Sequence, residues 1–151
     1  MTATAIAVSE EWRMQAERDL EVAKSLAAQG YFEWAAYAAQ QATEKAIKAV
    51  RHALAVDTRD DNQRSHKLIE LVGPVLEVAP STLPDMADLA RVTQHEADGR
   101  YPGIRTKKYL APLRVYDSPT AFHAILVAET VGHRCSRLTQ ALQAHWKTWT
   151  I

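Results

Sequence analysis

Gly30-Tyr-Phe-Glu-Trp-Ala-Ala-Tyr-Ala-Ala-Gln-Gln-Ala-Thr-Glu-Lys-Ala-Ile-Lys-Ala-Val-Arg-His-Ala-Leu54 decides the fold class. Phe32, Ala35, Ala36, Ala39, Thr43, Ala46, Val50 and Leu54 recur every three or four residues, the spacing that lines one face of an α-helix. The alanines of 35–55 lower the steric floor between packed helices, and Glu44 and Lys48 form an i,i+4 pair expected on the outer face. Gly30 reads as the left-handed residue closing a preceding helix. That helix starts at Ser9 as N-cap, carries Glu10 and Glu11 at its positive end, and buries Trp12, Ala16, Leu20, Ala23 and Ala27. So short a junction makes the two helices antiparallel neighbours.

Outward from this pair, Asp57–Arg64 holds five charges and no apolar residue, which predicts a solvated connection. Ser65 caps a third helix through Leu68, Leu71, Val72, Val75 and Leu76, reset at Gly73-Pro74 and ended before Pro80. A fourth begins at Ser81 or Thr82 with Pro84 in its first turn, turns Leu83, Met86, Ala87, Ala90 and Ala97 inward, and stops at Gly99. Residues 100–117 read as a long connection. Ser118-Pro119 then opens a last helix whose stripe, Phe122, Ile125, Leu126, Val131, Cys135, Leu138, Leu142, Trp146 and Trp149, predicts a rod of roughly 45 Å. The expected architecture is all-α, an antiparallel up-and-down bundle of about five helices with a long final helix.

With 151 residues the chain is expected to be a single domain, and one this size buries roughly 70% of its unfolded surface. It balances 18 Lys and Arg against 18 Asp and Glu, so no overall basic excess advertises nucleic acid. Cys135 is the single cysteine, which excludes an internal disulfide and fits a reducing cytoplasm. The mildly apolar first eight residues lack the positive region of a secretory signal, and no run approaches the ~20 apolar residues of a membrane span.

Most chemistry-bearing motifs are missing. There is no Glu-x-x-His for a bundle metal, no phosphate-cradling glycine loop, no Gly-x-Ser-x-Gly and no His-Glu-x-x-His. Glu129 and His133 read as an exposed pair, Cys135 as a buried thiol, and no metal or cofactor is expected. What remains is Arg100, Arg105, Lys107, Lys108 and Arg114, interleaved with Tyr101, Tyr109 and Tyr116 and free of acids until Asp117. Cations for phosphates and aromatic faces for bases are the parts of a single-stranded RNA or nucleotide contact. The alternative is that the tyrosines anchor the segment while its charges are solvated.

Five strings, in order, resemble the HEPN domain: Trp12-x3-Ala16-x2-Asp19-Leu20-x2-Ala23; Gly30-Tyr31-Phe32; the 38–49 run Ala-Ala-Gln-Gln-Ala-Thr-Glu-Lys-Ala-Ile-Lys-Ala; Ser65-His66-Lys67-Leu68; and Arg100-Tyr101-Pro102. The similarity covers about residues 10–145. It implies a helical bundle that commonly forms homodimers, often encoded beside a minimal nucleotidyltransferase in toxin–antitoxin pairs. Many HEPN proteins are metal-independent ribonucleases with an Arg-x4-6-His motif near the final helix, whose arginine would stabilise phosphorane charge while the histidine moves a proton. Here the arginine would be Arg100, but positions 105–107 hold Arg105, Thr106 and Lys107. Arg59 to His66 has the spacing but lies before the third helix, where the family does not place its motif.

The resemblance therefore points to a binding module that pairs with a nucleotidyltransferase or takes nucleotide or RNA through Arg100, Tyr101, Arg105, Lys107 and Lys108. The enzymatic alternative keeps Arg100 as charge stabiliser with His66 or His95 as proton carrier. A third reading is a purely structural association domain.

Overall fold

The computed structural model describes residues 2–55, 65–102 and 110–149. In chain order they form α1 (Ala3–Ala28), α2 (Phe32–Ala53), α3 (Leu68–Leu71), α4 (Gly73–Val78), α5 (Met86–Thr93), α6 (His95–Asp98), α7 (Pro112–Val115) and α8 (Ser118–Trp149). No strand occurs among the described residues. Three long helices carry the bundle, and the expected third and fourth helices are each broken in two.

The turn between α1 and α2 follows the sequence. Gly30 sits at φ +84°, its N–H reaches Ala27 O at 3.1 Å, and the Tyr31 N–H reaches Leu26 O at 3.0 Å. These two bonds satisfy the carbonyls that the helix end would otherwise orphan. The start of α1 differs from expectation. Thr2, not Ser9, is the cap, its hydroxyl accepting from the Ala5 N–H at 3.1 Å. Nothing in residues 3–8 breaks a helix, and Ser9 lies buried, donating to Ala49 O on α2 at 2.7 Å.

Every other helix among the described residues touches α2. This enclosure overturns the expectation that Glu44 and Lys48 face solvent: their side chains are only 4% and 6% exposed. Glu44 accepts from Lys48 Nζ at 2.7 Å and from Gln40 Nε2 at 3.1 Å. His66 Nδ1 stands 3.2 Å from both of its oxygens. Lys48 also lies 5.4 Å from the Trp12 ring centroid. Periodicity finds the apolar face of a helix but not the number of its neighbours.

Gly73-Pro74 opens α4 one residue after α3 ends, the reset that the sequence predicts. The Ser65 hydroxyl accepts from the Lys67 N–H at 3.0 Å, a turn just outside α3. The fourth expected helix starts later than Ser81 or Thr82. Asp85 caps α5 by accepting from the Ala87 N–H at 2.9 Å, leaving Pro84 outside. Leu83 is buried as expected, but Leu89, Val92 and His95 take the inner face, while Met86 and Ala87 are exposed. Leu89, Val92 and His95 are three apart, so one face of the chain carries all three inward.

Asp117, one residue before Ser118, caps α8, accepting from the Thr120 N–H at 2.9 Å. The inner stripe of α8 is Ala121, Ala124, Ile125, Ala128, Val131, Cys135 and Thr139. Phe122 and Leu126 instead face outward, 56% and 61% exposed. The 100–117 connection includes the one-turn α7.

Removing one partner of a buried ion pair strands the other. Glu44→Ala is expected to cost about 3–5 kcal/mol in urea denaturation, with Glu44→Leu plus Lys48→Met recovering most of it. A loss below about 1 kcal/mol for the single variant would mean that the pair behaves as a surface contact.

Candidate functional site

At the end of α6 the chain closes onto the start of α2. A Cβ at Gly99 would lie 2.8 Å from His95 O and 3.0 Å from Glu33 O, so only glycine permits this approach. The next residue, Arg100, then reaches Tyr37. Its guanidinium carbon is 4.8 Å from the Tyr37 ring centroid and 5.0 Å from that of Tyr101. Tyr37 in turn meets Trp34 edge to face at 6.1 Å. Trp34, Tyr37, Arg100 and Tyr101 thus form a row of flat groups, its ends Trp34 and Tyr101 being 46% and 56% exposed.

Arg100 is not a free cation. Its Nε donates to Glu96 O at 2.7 Å, and its Nη2 pairs with the Glu96 carboxylate one turn back. The guanidinium is locked as a stacking plane, with its charge already answered. Arg105, Lys107 and Lys108 lie outside the described residues, as do Tyr109 and Arg59. Arg114 is exposed on α7.

Beside the row runs a groove of about 290 Å³ between α1 and α2. Trp34 and Tyr37 line one end, Val22, Leu26 and Ala38 supply apolar wall, and Gln41 lies with the ion-paired Lys45 and Asp19. Trp34 and Tyr37 escaped the sequence reading, although their i,i+3 spacing places them on one helix face.

The two histidines considered as proton carriers have different surroundings. His95 is buried, its Nδ1 2.8 Å from the Tyr116 hydroxyl. Burial, reinforced by the charges of His123 and Arg91, pushes its pKa down to about 4. Burial also raises the Tyr116 phenol, with Asp98 adding to it. His95 is therefore a neutral structural group with no exposed face for a proton-transfer role. His66 is exposed but tied to Glu44. No hydrogen bond or ion pair joins Arg100 to a histidine among the described residues.

Cys135 is buried, and burial raises its thiol to about 12, which keeps it protonated and non-nucleophilic. Glu129 pairs with Lys24 at 2.7 Å rather than with His133. Among the described residues no group of three or more His, Cys, Asp or Glu side chains could hold a metal. Nor is any helix among them long and apolar enough to cross a membrane.

The HEPN domain family model matches residues 9–138. Among solved structures, the chain is similar to TT1696 from Thermus thermophilus, with 21% identity and a TM-score of 0.66 over 86% of this chain and 97% of that one. It is also similar to ST0689, an archaeal HEPN homologue, with 27% identity and a TM-score of 0.63 over 87% of this chain and 97% of the other. No curated protein matches the chain significantly.

The depressed His95 pKa makes stability pH-dependent. The unfolded chain takes up the proton near pH 6.5 while the folded chain resists it to about pH 4, so this stability is complete above pH 6.5 and is lost as pH falls. Between pH 6.5 and 5 the loss should be about 1.5 kcal/mol by chemical denaturation. A flat profile over that window would place His95 in a wetter site.

Proposed function

The chain belongs to the HEPN domain family, and on that premise we propose that it is a non-catalytic binding module for single-stranded RNA or nucleotide, acting as one domain in the cytoplasm. The observation that carries this reading is the row Trp34, Tyr37, Arg100 and Tyr101 beside the α1–α2 groove. Exposed aromatic faces stack on any base, and the adjoining segment supplies Arg105, Lys107 and Lys108 for phosphates. Arg100 serves as the fixed plane that orients Tyr101 rather than as a phosphate clamp.

The ribonuclease alternative is the weaker one. It needs a histidine beside Arg100, and neither the 105–107 positions nor the surroundings of Arg100 supply it. A separate observation favours association: Phe122 and Leu126 stand over an apolar groove lined by Ala28 and Ile125, with Lys24 and Glu129 at its edge. That face suits a second copy of the chain or a nucleotidyltransferase partner, as in a toxin–antitoxin pair, and it shares no residue with the aromatic row.

Fluorescence titration with a single-stranded ribo-oligonucleotide tests the reading. Trp34→Ala and Tyr101→Ala should each weaken binding by about 1–3 kcal/mol, the usual worth of one base–aromatic stack. If Arg105, Lys107 and Lys108 each meet one phosphate, raising salt from about 50 to 200 mM should weaken the native chain roughly 20-fold more than a triple glutamine variant. Lack of saturable binding at low salt overturns the proposal, and RNA cleavage abolished by Arg100→Ala would establish the ribonuclease.

A further inference from the structure

Helix α8 carries a second cationic position, more than thirty residues along the chain from Arg100. Arg134 and Arg137 are three apart, so their side chains leave one face of the helix. With Leu138 they line one wall of an open cleft of about 490 Å³, whose other wall is Ser81 and Thr82 in the turn between α4 and α5. Both arginines are exposed. Neither holds an ion pair among the described residues, whereas Arg13, Arg18 and Arg100 each hold a carboxylate. The side-chain hydroxyls of Ser81 and Thr82 likewise make no hydrogen bond there.

Two guanidiniums one turn apart repel each other, and among the described residues no carboxylate pairs with either. Arginine's planar fork of donors matches tetrahedral oxyanions, and hydroxyls facing it across a cleft add further donors. Among the described residues the cleft thus offers donors from two walls, two positive charges and no competing anion. Its charge matches that of a phosphomonoester, which carries about −1.5 to −2 at neutral pH, better than that of a singly charged phosphodiester.

The geometry points to an oxyanion site for a terminal phosphate group, held by Arg134 and Arg137 on one side and by the Ser81 and Thr82 hydroxyls on the other. It shares no residue with the aromatic row or the α1–α2 groove, so it stands or falls independently of the RNA-binding reading. The bearer of the phosphate is a small phosphomonoester such as a mononucleotide; a phosphatidate headgroup presents the same dianion and is an outcome the test separates.

Methyl phosphate and dimethyl phosphate, titrated into the full chain at constant ionic strength, separate monoester from diester. The readout is the backbone amide resonances of residues 81–82 and 134–138 in NMR, which every variant retains. Methyl phosphate should give a saturable shift and dimethyl phosphate bind at least about tenfold more weakly, since charge-assisted bonds scale with the ligand's charge. Arg134→Gln with Arg137→Gln should abolish saturation, Arg134→Lys with Arg137→Lys should keep part of it, and Ser81→Ala with Thr82→Val should weaken it several-fold. Circular dichroism checks that each variant is folded. Comparing AMP with adenosine, and phosphatidate vesicles with phosphatidylcholine vesicles, then identifies the bearer. Equal shifts in native and glutamine variants, equal binding of the two esters, or binding to phosphatidate vesicles without binding to methyl phosphate would overturn the site. A ribo-oligonucleotide with a 5′-hydroxyl, followed through Trp34, reports the aromatic row separately.

Discussion

The enclosure of α2 is the constraint on which the rest of the structure depends. A helix touched by all seven others described must be thin, and Ala35, Ala36, Ala39, Ala42, Ala46, Ala49 and Ala53 make it so. It must also satisfy its own polar groups, because water does not reach them and an unpaired buried donor or acceptor costs about 1–3 kcal/mol. Thr43 turns its hydroxyl back to Ala39 O at 2.9 Å, and Ser9 closes on Ala49 O. Arg51 Nη1 donates to Leu71 O at 3.0 Å. Glu44 gathers Gln40, Lys48 and His66. Each tie crosses to another element or stiffens α2 itself, so polar chemistry sets the register of α1, α3 and the 65–67 turn on a core that alanine alone would leave slippery.

The same enclosure explains where a ligand can be met. The burial of α2 is least in its first turns, where Trp34 emerges and Tyr37 is half-buried. The contact between Gly99 and Glu33 brings the end of α6 to that open stretch, and Arg100 is delivered onto Tyr37 as a consequence of backbone packing. A row of flat side chains thus forms at the start of α2, where its burial among the described residues is incomplete. Its rigidity comes from Glu96, which spends the charge of Arg100 on holding it still.

Much of the architecture was legible in the sequence because it is written in local chemistry. Gly30 needed a left-handed backbone, Gly73-Pro74 broke a helix, and the Gln-Gln-Ala-Thr-Glu-Lys-Ala string lay in the right place relative to Arg100-Tyr101-Pro102. What stayed hidden depends on neighbours distant in sequence. Ser9 reads as a cap until Ala49 O is seen above it. Glu44 and Lys48 read as a surface pair until the other helices are packed around α2 and bury them. Phe122 and Leu126 fit the period of α8 but lie on its shoulder, the inner line being taken by smaller side chains that let α8 come close to α2. Trp34 and Tyr37 had the spacing of a face, yet nothing local linked that face to Arg100. The pairing of Arg100 with Glu96, by contrast, is an i,i+4 relation visible in the sequence.

That pairing bears on the choice between binding and catalysis. Stabilising a phosphorane asks an arginine to meet charge that appears only in the transition state, and a partner histidine to change protonation near neutral pH. Arg100 is already paired with Glu96 of α6 and flanked by the Tyr37 and Tyr101 rings. Burial holds His95 neutral far below the working range, and no hydrogen bond or ion pair among the described residues brings His66, its Nδ1 beside the Glu44 carboxylate, to Arg100. Freeing Arg100 would break both an ion pair and a stack, so the arrangement works against a moving catalytic group. A static platform has the opposite requirement, since it binds best when no ordering remains to be done at the moment of contact. The features that disfavour turnover here are therefore the ones that the proposed stacking on Tyr101 and Trp34 would require.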